Sequence, residues 1–304
     1  MAGVNKGYEY REYLPAESAG LMVIDYLVAR YPAVSRGQWL RRIASGRVLI
    51  DGVVAEADAV LSPGQCLRWL RPPWVEPEAP LDFAILYRDS HLLGIAKPAG
   101  LPTMPGGGRF MDNTLFTLVR RRYPGANPLH RLGRGTSGVM VFALTREAFA
   151  AVSKAWNIGQ VEKRYRTLAG GLPGADSFDV DVPIGPVPHP VLKSIHAATP
   201  DGRPAHSRIE VLERRGDRSL LDVHITTGRP HQIRIHCAAA GHPLVGDPLY
   251  TTGGVPAANS LAVPGDLGYH LHSRLLALPH PATGHRTEIV CLPPPLLRPI
   301  VVST

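Results

Sequence analysis

The chain has 304 residues, enough for one large domain and a small one with a substantial core. Its composition, 44% hydrophobic and 19% charged, is ordinary for a globular protein, with no apolar run of membrane-spanning length and no apolar signal core after Met1-Ala2-Gly3-Val4-Asn5-Lys6. The expected location is therefore cytoplasmic, with no membrane partner. The net charge of +8 is unevenly placed: residues 1–80 hold nine Lys/Arg against nine Asp/Glu, whereas residues 116–166 hold ten against only Glu147 and Glu162. Such a basic field favours a polyanionic partner, RNA or DNA first. Cys66, Cys237 and Cys291 are odd in number and widely spaced, which excludes a disulfide framework or paired metal knuckle and suits buried structural thiols.

Leu21, Ile24, Leu27, Val28 and Tyr31 recur at helical spacing, and Pro32 closes that helix. Ser35-Arg36-Gly37-Gln38 predicts a capping box opening a second helix to about Ser45, which buries Trp39, Leu40 and Ile43 and ends at Gly46. Val48-Leu49-Ile50 and Val53-Val54 flank Asp51-Gly52, a strong hairpin signal. Four prolines in residues 71–80 favour a semi-rigid linker. The expected organisation is a small helix-helix-hairpin domain over residues 1–71, a linker over 72–80 and a large domain over 81–304.

In the large domain, Phe83–Tyr87 and Leu92–Ala96 read as strands, followed by the break Lys97-Pro98-Ala99-Gly100-Leu101-Pro102-Thr103. Gly106-Gly107-Gly108 lacks the Lys-Ser/Thr ending of a nucleotide-binding loop and reads as a flexible loop. A helix is expected from about Asn113 to Tyr123. Then comes a polar loop, Pro128-Leu129-His130-Arg131-Leu132-Gly133-Arg134-Gly135-Thr136-Ser137-Gly138, feeding the apolar run Val139–Ala143. Small residues at its turning points and two arginines before a buried strand suit a catalytic or anion-binding loop. Arg146–Trp156 is expected to be amphipathic, with Phe149, Val152 and Trp156 on one face. Val161–Leu168 and Leu221–Ile225 alternate as strands, and a helix is expected with Pro230 at its first position, closing at Gly241. Short strands with interspersed helices predict an α+β fold with a mixed, mostly antiparallel sheet and flanking helices.

Three segments together carry a resemblance. The polar loop, Lys163-Arg164-Tyr165, and Thr227-Gly228-Arg229-Pro230-His231-Gln232-Ile233-Arg234-Ile235-His236 resemble, in order, the motifs of the RluA-type RNA pseudouridine synthases. Lys97–Leu101 and Gly246-Asp247-Pro248-Leu249-Tyr250 extend the likeness over roughly residues 81–295. The first domain, with Arg36, Arg41, Arg42 and Arg47 around its second helix, resembles the small S-four-type RNA-binding domain named for a ribosomal protein.

The resemblance implies isomerisation of uridine to pseudouridine in ribosomal or transfer RNA, with no metal and no organic cofactor. Tyr165 maps onto the active-site tyrosine, able to stack on uracil and relay a proton. Arg234 maps onto the arginine that pairs with the catalytic carboxylate. His130, Arg131, Arg134, Thr136, Arg229, His231 and Gln232 are the RNA-binding candidates of the large domain. Gly133 stands where the family carries its nucleophilic aspartate, so another group serves, or substrate phosphate fills the gap, or catalysis is lost and the protein binds RNA without modifying it. Asp247, Asp112 and Glu162 have family counterparts beside that aspartate, so none is an evident replacement. His231 and His236, five apart, aim poorly at one ion, and no zinc motif accompanies them. A buried guanidinium needs an acceptor, so a buried Arg234 must face something anionic.

Overall fold

The computed structural model describes residues 4–32, 34–106 and 109–300, which leaves Gly107 and Gly108 outside the described residues. The chain divides into two compact units, Met1–Pro77 and Glu78–Thr304.

The smaller unit packs helices Val23–Arg30 and Arg36–Ala44 on a four-stranded sheet ordered Tyr8–Tyr13, Cys66–Arg71, Val48–Ile50, Val53–Val54. The hairpin expected from the sequence is thus half of a larger sheet. Its turn places Asp51 at φ 50° and Gly52 at φ 87°, the left-handed pair a tight hairpin requires. The capping box forms: Ser35 Oγ accepts the Gln38 N–H at 3.3 Å, and Gln38 Oε1 accepts the Ser35 N–H at 2.9 Å. Leu27, Trp39, Ile43, Val48 and Leu67 fill the core. Leu40 does not join them; it is 42% exposed, because the helix turns only Trp39 and Ile43 inward. Leu21 lies before the first helix and is likewise exposed. Residues 72–77, read from sequence as linker, are held to this unit, with the Asn5 N–H donating to the Trp74 carbonyl at 3.1 Å and Asn5 Nδ2 to Glu76 at 2.7 Å.

The larger unit is built, among the described residues, on a ten-stranded mixed sheet. Eight strands follow in spatial order: Ser177–Val180, Ser207–Arg215, Arg218–Ile225, Glu162–Gly170, Leu271–Pro279, Ser137–Ala143, Leu92–Lys97 and Ala84–Arg88. All neighbouring pairs are antiparallel except Leu271–Pro279 with Ser137–Ala143, which run parallel with His272 beside Ser137 and Ser273 beside Gly138. Ser137–Ala143 reads as a continuous apolar run because both its faces are covered. Met140 and Phe142 pack with Leu115 and Val119 of helix Leu115–Arg122, and Val139 and Val141 pack with Val152 and Ala155 of helix Arg146–Asn157. Each such buried side chain contributes roughly 1.5–3 kcal/mol. Phe149, expected on the inner face of that second helix, is 40% exposed; Ala148, Val152 and Ala155 point inward instead. A third helix spans Gln232–Ala239 and is buried along nearly its whole length. It starts after Pro230, because His231 turns the chain at φ 56° and forms its N-cap. Among the described residues, no helix is long and apolar enough to cross a membrane.

Candidate active site

The polar loop before Ser137–Ala143 is held by its backbone. Lys97 is 1% exposed, and its Nζ donates to the carbonyls of Thr136 at 2.7 Å, Pro98 at 2.9 Å and Arg134 at 3.2 Å. Burial, with the nearby charge of Arg134 adding to it, pushes the Lys97 ammonium down to about 7. Thr103 Oγ1 donates to the Leu132 carbonyl at 2.8 Å, and the Gly100 N–H donates to the Arg134 carbonyl at 2.8 Å. The Lys97–Thr103 segment is therefore the mount on which the loop sits. At the loop's exit, Gly138 has φ 109°, and a Cβ there would lie 2.1 Å from the Ser273 carbonyl oxygen. Only glycine admits the close parallel approach of the two strands.

Two adjoining cavities open beside this loop. The first, about 110 Å³, is lined by residues including Gly133, Thr136, Tyr165, Ile225, Arg234 and Tyr269. The second, about 460 Å³, has Arg131, Arg134, Arg229 and His231 in its wall. No carboxylate lines either one among the described residues. Tyr165 lies on strand Glu162–Gly170, 8% exposed, and burial pushes its phenol up to about 12 despite an opposing hydrogen bond with Ser273. At neutral pH it holds its proton. Its ring is a flat wall with a donor at its edge.

Arg234 is 2% exposed, and the anion it requires is Asp247, whose side chain is 1% exposed. Nε and Nη2 donate to the two carboxylate oxygens at 2.6 and 2.7 Å, a bidentate fork, while Nη1 donates to the Pro264 carbonyl at 3.0 Å. Burial is the largest influence on Arg234 and disfavours its charge, but the hydrogen bonds and charge attraction of Asp247, with smaller contributions from Tyr269 and Tyr250, together outweigh it and the net direction is upward. The guanidinium carbon also lies 4.1 Å from the ring centre of Tyr269 and 4.9 Å from that of Tyr250. Sequence reasoning weighed Asp247 only as a substitute nucleophile. It is instead tied to Arg234 and to the backbone N–H groups of Leu249 and Tyr250 at 2.9 and 3.1 Å.

The remaining candidates divide. Arg131 and Arg229 face the cavities, with Arg229 Nε steadied by the Pro204 carbonyl at 2.9 Å. Arg134 also reaches the second cavity, though its Nε donates to the Gly100 carbonyl at 3.1 Å. His231 lines both, and burial, then the Arg234 charge, pushes it down to about 3. The Tyr250 hydroxyl donates to the His196 carbonyl at 2.7 Å, so it accepts from His231 Nδ1 at 2.7 Å and leaves Nε2 as an acceptor. Gln232 reaches the first cavity's wall, but its amide is engaged internally: Oε1 accepts from Thr227 and the Arg229 N–H, and Nε2 donates to the His206 carbonyl and Ser207. It fixes the turn before the helix. His130 faces elsewhere, its Nε2 accepting the Val141 N–H at 3.1 Å and its ring stacked on Trp156 with centroids 5.0 Å apart. His236 is buried against Ser207 and the Val182 carbonyl. Among the described residues no group of side chains is arranged to hold a metal ion.

In the small unit, Arg41, Arg42 and Arg47 line a cavity of about 330 Å³ together with Trp69 and Trp74. The Arg42 guanidinium lies against both Trp39 and Trp69, 4.6 and 4.2 Å from their ring centres. Its buried Nη1 has no hydrogen-bond partner among the described residues. Arg36 is apart from them, in an exposed ion pair with Asp25 at 2.5 Å.

Residues 91–239 match the family model described as RNA pseudouridylate synthase. Over 92% of its length the chain is 40% identical to "Uncharacterized RNA pseudouridine synthase" of Synechocystis, covering 97% of that protein. It is 35% identical to "RNA pseudouridine synthase 5" of Arabidopsis thaliana, over 97% of this chain and 95% of that one. It is 33% identical to "Ribosomal large subunit pseudouridine synthase D" of Pseudomonas aeruginosa, over 90% and 89%. The solved structure of "Human RNA Pseudouridylate Synthase Domain Containing 1" superposes with a TM-score of 0.58 at 28% identity, covering 73% of this chain and 87% of the human one. With three motifs in family order and this extent of likeness, the chain belongs to the RluA-type RNA pseudouridine synthase family.

Proposed function

We propose that the protein converts uridine to pseudouridine in a structured ribosomal or transfer RNA, with no carboxylate at position 133. The observation that carries this reading is the convergence of Tyr165, Thr136 and Arg131 on one cavity at the Gly133 loop. The isomerisation detaches uracil from its ribose, turns it and rejoins it through carbon five. It needs a flat surface for the base, cations for the flanking phosphates, and a group that accepts the proton leaving carbon five. Tyr165 supplies the surface and a proton donor, the Nε2 of His231 in the wall of the same cavity is the acceptor for the proton leaving carbon five, and Arg131 and Arg229 supply the cations. The target base must leave its stack, which costs a few kcal/mol and favours loops and bulges. Arg41, Arg42 and Arg47, gathered in the wall of one cavity, suit the phosphates of an RNA strand.

A second reading, an RNA-binding protein that does not modify its target, is favoured by one observation. Arg234 has its carboxylate in Asp247, and among the described residues no carboxylate lines either cavity. Tritium release from ribosomal and transfer RNA labelled at uracil carbon five separates the two. The proposed function predicts release by the natural protein and a loss of at least about 100-fold in Tyr165→Phe. Silence on every RNA, with binding retained, supports the second reading.

Both readings place phosphates against arginines, so RNA affinity is expected to fall roughly tenfold or more between 50 and 200 mM salt through counterion release. Filter binding across that range checks it, and a flat profile contradicts the arginine placement.

A further inference from the structure

The site has glycine at two positions whose backbone does not ask for it. Neither Gly133 nor Gly135 has a positive φ. What they lack is room. A Cβ on Gly135 would lie 2.8 Å from Cζ and 2.9 Å from Cε1 of Tyr269, inside the ring's van der Waals surface. A Cβ on Gly133 would lie 3.0 Å from the Tyr269 hydroxyl and 3.4 Å from Thr136 Oγ1. Tyr269 is 5% exposed, two residues ahead of strand Leu271–Pro279, and its ring is pressed between the Gly135 backbone and the flat face of Arg234. Its hydroxyl lies 3.4 Å from that of Thr136, a weak contact that leaves hydrogen-bonding capacity for a ligand. The space where a side chain at 133 would begin is thus bounded by a polar oxygen of this tyrosine, in the wall of the cavity that also holds Tyr165.

We propose that Tyr269 takes the place of the side chain absent at position 133, its hydroxyl being the polar group that meets the sugar and base of the target nucleotide. Gly133 and Gly135 are the clearance for its ring. Arg234 is shared accordingly: its edge is held by Asp247, and its face supports Tyr269 rather than a carboxylate from the loop. The inference rests on the proposed uridine chemistry of this cavity, and it adds that positions 133 and 269 are coupled. A side chain at 133 begins 3.0 Å from the phenol oxygen, so it enters only if Tyr269 gives way.

The test is tritium release from RNA labelled at uracil carbon five by the natural protein, Tyr269→Phe, Gly133→Asp and Gly133→Asp/Tyr269→Phe. Tyr269→Phe removes one oxygen held only by a long contact, so it keeps the fold. Its turnover is expected to fall about 100-fold, with RNA affinity unchanged within about twofold. Gly133→Asp alone is expected to fall as well, because its Cβ crowds the phenol oxygen and displaces the Tyr269 ring, and the double variant is expected to exceed either single one by at least about tenfold. Full turnover in Tyr269→Phe, or a double variant as poor as the product of the two losses, overturns the proposal. Silence of the natural protein is a failure of the pseudouridine reading, and a second measurement then decides the contact. Protein with 3-fluorotyrosine at its ten tyrosines gives one fluorine resonance that is missing from Tyr269→Phe. A shift of that resonance on adding a poly-uridine oligonucleotide upholds the contact, and an unmoved resonance overturns it.

Discussion

Asp247→Ala is expected to lower the stability of the larger unit by about 3–5 kcal/mol, because it strands a guanidinium that is almost completely buried. The Arg234 and Asp247 side chains are 2% and 1% exposed and share two hydrogen bonds, so solvent screening does little to soften the loss. Arg234→Met is expected to cost less, since Asp247 keeps the N–H groups of Leu249 and Tyr250. Replacing both, as Arg234→Met with Asp247→Leu, is expected to recover most of the Asp247→Ala loss, because no charge is then left unpaired. The denaturant midpoint checks all three. A double variant no better than Asp247→Ala would mean that the site needs the ion pair itself and not merely neutrality.

Gly138→Ala is expected to be the most damaging glycine-to-alanine substitution among the described residues. It combines a backbone at φ 109° with a methyl 2.1 Å from the Ser273 carbonyl, so the parallel strands must part or the loop must shift. Strain of this kind costs about 1–3 kcal/mol from the backbone alone, and the clash adds to it. The parallel contact lies at the start of Ser137–Ala143, so its loss moves Thr136 and the cavity wall as well. Soluble yield and denaturant midpoint report it. Gly174→Ala, where a Cβ meets nothing within 4 Å and φ is not positive, is the control, with a change of at most about 0.5 kcal/mol.

What the sequence made legible was local. The capping box at Ser35 and Gln38 and the turn at Asp51-Gly52 depend on residues within three or four positions of one another, and they form as their chemistry requires. The demand for an anion opposite Arg234 was also readable, since no environment tolerates a buried lone guanidinium. Which carboxylate answers it was not, because the fork to Asp247 depends on how the segment after helix Gln232–Ala239 folds back. His130 sits inside the most telling motif and yet faces Trp156, since motif membership does not say which way a ring points. Leu40 and Phe149 erred in the same way: helical spacing identifies a stripe, and the neighbours decide how wide a stripe is covered. Tyr269 was not singled out at all. The signal was present only indirectly, as two glycines at alternate positions in a loop whose backbone did not need them.

Lys97 and Thr103 grip the loop by carbonyl oxygens, which every amino acid provides. The loop's path is accordingly indifferent to what stands at position 133. A lineage could lose a side chain there without refolding the loop, whereas regaining one also requires room beside the Tyr269 hydroxyl. The handle is fixed and the tool is exchangeable, subject to whatever residue 269 leaves room for.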